Sequence, residues 1–235
     1  MNANANVLQR SELIGPAEQV IPIPQPEIFR GAYDWNPERF AREQICSLVR
    51  RVFFTNRAQP VRQVVFCAAE PHTDVGPICE QVGRALALET SGDIAIVSGN
   101  SPLPEAAQGP THQAGAEIKS WSTQIAINLW RVPHSGLCEL RQESGTGRYW
   151  ISRLARLQND FEYVVIHGPA AGTSSESALL GQLADGIILV LEANSTRRAT
   201  ARKIIETLEG SHSRILGTVL SERTFPVPER IYRRL

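Results

Sequence analysis

The chain has 235 residues, enough for one α/β domain with a substantial core plus flanking segments. Its 24 Lys+Arg balance 24 Asp+Glu, so overall charge gives no reason to expect nucleic acid or an anionic membrane as partner. Apolar residues make up 42%, as in ordinary globular proteins, and no apolar run approaches the roughly 20 residues of a membrane span.

Residues 1–37 read as an arm. Gly15-Pro16 and Ile21-Pro22-Ile23-Pro24-Gln25-Pro26 favour extended, polyproline-like chain. Ile28, Phe29, Tyr33 and Trp35 follow, and either pack back on the domain or dock a partner. The terminal Met1-Asn2-Ala3-Asn4 lacks the basic and apolar regions of a signal peptide, so a cytoplasmic location is expected. A helix is predicted over 37–57, with Pro37 in its first turn and Phe40, Ile45, Leu48, Val49, Val52 and Phe53 at helical spacing.

Strands and helices then alternate. Strands are predicted at 63–68, 94–97, 125–132, 163–166, 187–191 and 215–220, and helices at 77–89, 147–158, 174–183 and 196–210. Several strands are continuous apolar runs, which suit a sheet covered on both faces. The expected fold is therefore α/β: a three-layer, mostly parallel, doubly wound sheet. The Pro-, Gly-, Gln- and Ser-rich stretch 99–124 reads as a surface excursion, and 223–235 as a short tail.

The four cysteines (Cys46, Cys67, Cys79 and Cys138) fit neither zinc spacing nor a redox Cys-x-x-Cys pair. Cys67 in a strand and Cys79 in a helix are expected to be buried free thiols. Lysine occurs only at Lys119 and Lys203. The clusters Arg50-Arg51 and Arg197-Arg198 with Arg202-Lys203 read as solvated helix faces, with an acidic partner as the alternative.

The segment between the first predicted strand and its helix is Ala68-Ala69-Glu70-Pro71-His72-Thr73-Asp74-Val75-Gly76-Pro77. Strand–loop–helix is the frame that phosphate-binding loops use. Further on, Phe161-Glu162-Tyr163-Val164-Val165-Ile166-His167-Gly168-Pro169 is similar to a "YDYVIIDTPP" motif. Leu179-Leu180-Gly181-Gln182-Leu183-Ala184-Asp185-Gly186-Ile187-Ile188-Leu189-Val190 is similar to "ALLLAPLADGVLLVV". Thr196-Arg197-Arg198, followed by Ile215-Leu216-Gly217-Thr218-Val219-Leu220, is similar to "TRR…VLGVVLN". In order and spacing, residues 38–222 resemble the cytoplasmic tyrosine-kinase domain of bacterial capsule and exopolysaccharide systems. That family has a deviant P-loop fold related to the MinD/ParA ATPases.

The resemblance implies a phosphate loop of the form S-A-x-P-G-E-G-K-S-T. Aligned on Pro71, its glycines become His72 and Asp74, with Thr73 between them. Its lysine becomes Val75, and its Ser-Thr pair becomes Gly76-Pro77. The two aspartates of "VDADLRRP" become Ser98 and Asn100, and the aspartate of "IIDTPP" becomes His167. The family's Glu-x-x-Arg-x-x-Arg oligomerisation motif falls on Glu43, Cys46 and Val49. Its tyrosine-rich tail shrinks to Tyr232, a candidate phosphorylation site.

A phosphate cradle needs close backbone approach, free N–H groups and a lysine. Magnesium needs carboxylate or hydroxyl oxygens. Losses at every motif imply a domain without catalytic residues, metal or nucleotide cofactor, in which Asp74 stands in for the anion or simply caps the helix. His72 and His167 with Cys67 or Asp74 could form a metal or nucleophilic site, but their spacing gives it no specific support. The expected role is an inactive interaction or regulatory subunit in polysaccharide biosynthesis or export. Its partner would be a protein such as a membrane co-polymerase, which would hold it at the periphery of the inner membrane, and the expected state is monomer or homodimer. The alternatives are an active ATP/Mg-dependent kinase or ATPase, with a residue such as Arg84 replacing the lysine, or a MinD/ParA-like accessory protein.

Overall fold

The computed structural model describes residues 36–55, 59–97, 118–133 and 146–222. Residues 1–35 of the arm, Ser98, Asn100, Cys138 and Tyr232 lie outside the described residues, as do residues 99–117 of the 99–124 excursion.

The chain opens with α1 (Pro37–Phe53). The Asn36 side chain accepts the N–H groups of Glu38 at 2.9 Å and Arg39 at 3.1 Å, which the first helical turn leaves unpaired. There follow β1 (Gln63–Ala68), α2 (Gly76–Glu89), β2 (Ile94–Val97), a 3-10 turn (Ile118–Trp121), β3 (Thr123–Ala126) and β4 (Leu129–Val132). The chain then runs through α3 (Thr146–Asp160), β5 (Tyr163–His167), α4 (Ser175–Leu183), β6 (Gly186–Glu192), α5 (Arg198–Gly210) and β7 (Ile215–Ser221).

The sheet has seven strands in the order β3-β4-β2-β5-β1-β6-β7. All pairings are parallel except β3 with β4. Strand alternation divides the core in two. Val65, Cys67, Val164, Ile166 and Leu189 face Trp150, Leu154 and Leu157 of α3, Leu180 of α4 and Ile204 of α5. Val64, Phe66, Ile96, Val165 and Ile188 face Val49 and Phe53 of α1 and Val82 and Leu86 of α2. The fold is thus the expected three-layer α/β sandwich, with continuous apolar strands buried on both faces.

Two sequence features acquire structural roles. Asp185 of the Leu-Ala-Asp-Gly segment accepts the backbone N–H groups of Arg62 and Gln63, both at 2.7 Å, and so fixes the start of β1 beside β6. The stretch expected to be one strand over 125–132 is instead an antiparallel hairpin, turning at Ile127-Asn128. An apolar residue, Ile127, occupies the turn and is almost fully exposed, so the apolar run conceals the break.

Candidate functional site

The carboxyl ends of β1, β5 and β6 meet where open α/β sheets bind ligands. The loop 69–75 leaves β1 there. Its first residue, Ala69, donates its N–H to the Val190 carbonyl at 2.9 Å. The loop after β5 lies against it: Ala171 and Gly172 donate to the carbonyls of Ala68 and Ala69 at 2.8 and 3.1 Å. A Cβ on Gly172 would stand 2.6 Å from the Ala69 carbonyl oxygen, so the two loops approach only because that residue has no side chain.

Within the loop, Asp74 Oδ1 accepts the Gly76 N–H at 2.9 Å, taking one of the donors at the start of α2. Val75 is completely buried, and its side chain joins the α1/α2 core. Pro71, His72, Asp74 and Pro77 are exposed, whereas Thr73 is buried.

His72 reaches across to the turn after β6. Its Nε2 lies 3.1 Å from Ser195 Oγ, 3.4 Å from Glu192 Oε2 and 3.7 Å from Glu70 Oε2. Thr73 Oγ1 donates to the same Glu192 oxygen at 3.2 Å. Glu192 and Ser195 were not legible as site residues, because 119 or more positions separate them from the loop they hold. Among the described residues no His, Cys, Asp or Glu group is arranged to hold a metal ion.

His167 ends β5 on the face of α1 and α2, by alternation from Val165. Burial holds its imidazole below the ordinary histidine range, and the nearby Asp74 carboxylate partly opposes that shift. Burial pushes the Cys67 thiol up to about 12, against a hydrogen bond from Ser177. Burial also raises Cys79, with Cys67 and Asp74 adding to the effect. Both cysteines are free and buried, as expected, and neither offers a thiolate.

The chain's two lysines do not converge on the loop. Lys119 donates to Asp93 Oδ2 at 2.6 Å, at the amino end of β2. Lys203 is exposed in the second turn of α5. Arg84, the candidate lysine substitute, is bound to Glu80 on its own helix at 2.7 Å.

Comparison with solved structures places this fold beside bacterial tyrosine-kinase domains. The kinase domain of Escherichia coli tyrosine kinase ETK superposes with a TM-score of 0.61 at 12% identity, over 80% of this chain and 79% of that one. The VpsO kinase domain gives 0.57 at 20% identity, over 80% of this chain and 98% of that one. Among curated proteins, the tyrosine-protein kinase CpsD of Streptococcus agalactiae serotype III is 31% identical over 74 residues. The fold is similar to that of bacterial tyrosine-kinase domains.

No family model matches the chain. The match to CpsD spans 32% of this chain and 32% of that kinase, so at the level of sequence the likeness is local. The domain has the strand–loop–helix frame around residues 69–75, between β1 and α2. No described helix is long and apolar enough to cross a membrane.

Proposed function

We propose that this kinase-like domain is catalytically silent and works by contact, as an interaction or regulatory subunit in polysaccharide biosynthesis or export. The observation that carries the reading is Val75. It occupies the position that resembles the family's lysine, and its side chain is buried in the core rather than turned to the cleft. Phosphoryl transfer depends almost wholly on positioning and on neutralising charge. Here the Gly76 N–H is engaged by Asp74, and Asp74 itself would repel a triphosphate. His72 is drawn onto Glu192 and Ser195. His167 stands where the family's third aspartate would lie, and a half-buried imidazole is a poor magnesium ligand. The loop therefore does not fit magnesium triphosphate.

A domain that works by contact acts through a partner. On the resemblance, that partner is a membrane polysaccharide co-polymerase or export component, which would hold the domain at the inner membrane. Tyr232 would then be a target for another kinase. Isothermal titration of the full chain with ATP and magnesium tests the reading. No heat of binding is expected at concentrations up to the millimolar range typical of weak sites. Micromolar binding with turnover would overturn it.

A further inference from the structure

We propose that the free edge of β7 pairs antiparallel with the β7 of a second copy of this chain, joining two sheets across a two-fold axis. The two ends of the sheet are built differently. β3 is four residues long, breaks register between Gln124 and Ala126, and exposes three of its four residues. Those features blunt an edge against pairing. β7 has seven residues, Ile215-Leu216-Gly217-Thr218-Val219-Leu220-Ser221, with neither a charge nor a proline among them. Among the described residues it pairs on one side alone, with β6. Its register irregularity lies near its start, and the run from Gly217 to Ser221 is regular.

Alternation fixes which backbone groups are free. The Ser221 carbonyl turns towards β6, where it accepts the Ala193 N–H at 2.9 Å. Gly217 and Val219 share that orientation, so Thr218 and Leu220 aim their N–H and C=O groups away from the sheet. The side chains are also incompletely covered. Ile215 is only partly buried against one layer, and Leu216 and Val219 against the other. Leu220 is 54% exposed and helps to wall a cavity of about 400 Å³ at the start of α5, with Leu191, Ala193 and Ala201. A further strand would satisfy the free backbone groups and cover apolar surface on both faces.

Charge singles out a second copy as the occupant. β7 is bracketed by Arg214 and Glu222, both exposed and neither in an ion pair among the described residues. Thr218 lies midway between them. An antiparallel copy turned about an axis near Thr218 therefore brings Arg214 of each chain towards Glu222 of the other. Parallel pairing in register would set like charges side by side instead. The contact is isologous, so it closes at two chains.

Sedimentation velocity and hydrogen exchange of the full chain test the contact. The wild type is expected to pass from one chain to two as concentration rises, and its Thr218 and Leu220 amides to exchange more slowly as it does. Leu220→Lys places a charge on the free edge, and Thr218→Pro removes an N–H that β6 does not use. Each is expected to stay monomeric with an unchanged far-UV spectrum. Ile127→Lys, at the turn beside the opposite edge, should still dimerise. A wild type that remains monomeric to about 0.1 mM overturns the proposal. So does a dimer that survives Leu220→Lys. Equal protection of the Thr218 and Leu220 amides at every concentration also overturns it, because another segment of the same chain would then cover the edge.

Discussion

His167 shows how one buried side chain shapes the electrostatics of this cleft. The position ends β5 and is partly enclosed, so charging an imidazole there costs solvation. Burial is the larger influence, and the Asp74 carboxylate offsets part of it. The folded chain therefore binds the proton less readily than the unfolded chain. As pH falls below the ordinary histidine range, the unfolded state takes up the proton first, and stability declines until the folded ring is also charged. His167→Gln removes that contribution. Urea midpoints measured from neutral to mildly acidic pH are expected to fall less steeply in the variant than in the wild type. Equal slopes would show that burial of this ring does not contribute.

Among the elements, the β3–β4 hairpin depends on a residue outside both strands. Asn128 Nδ2 lies 2.9 Å from the Thr90 carbonyl, 3.2 Å from Gly92 and 3.4 Å from Ala87, while its own carbonyl accepts the Ile94 N–H at 2.8 Å. One side chain thus joins the hairpin turn to the end of α2 and the start of β2. Asn128→Ala leaves those partly buried carbonyls short of a donor, a loss of about 1 kcal/mol by the usual net worth of such hydrogen bonds. Urea unfolding should show that loss, and hydrogen exchange should show faster exchange in β3 and β4 than in β1 and β5. The sequence betrayed this element poorly. The runs at 63–68 and 94–97 were legible because buried parallel strands carry apolar side chains on both faces. The run 125–132 mimics that signal, since Ile127 carries an apolar side chain at an exposed turn without glycine or proline. The site was half legible for a related reason. The frame around the loop is local in sequence, whereas the partners of His72 and Thr73 lie 119 or more residues away and follow no periodicity.

At the scale of the molecule, the sheet separates two ends with different chemistry. The carboxyl end gathers the loop, His167, Glu192 and the cavity beside α5. The amino end is tied by Asp93, which accepts Lys119 at 2.6 Å and the Trp130 indole at 3.2 Å, and by Phe53 and Phe54 edge-on to Tyr163. α1 packs along one face and contributes Val49, Val52 and Phe53 to the core. That packing bears directly on assembly. The family's ring motif would need an exposed glutamate and two exposed arginines on α1. Here Glu43 is exposed but faces Arg39 of its own helix at 3.5 Å. Cys46 is half-buried, and Val49 is completely buried against the sheet. Of the three positions only Val49 is turned fully inward, and an arginine there would have to leave its charge in the core. Sedimentation velocity of the 25.9 kDa chain is therefore expected to show monomer or dimer, with no ring-sized species. A stable ring would require contacts on a surface other than this face of α1. It would also remove the reason for placing the domain's work in contact with a different protein rather than with copies of itself.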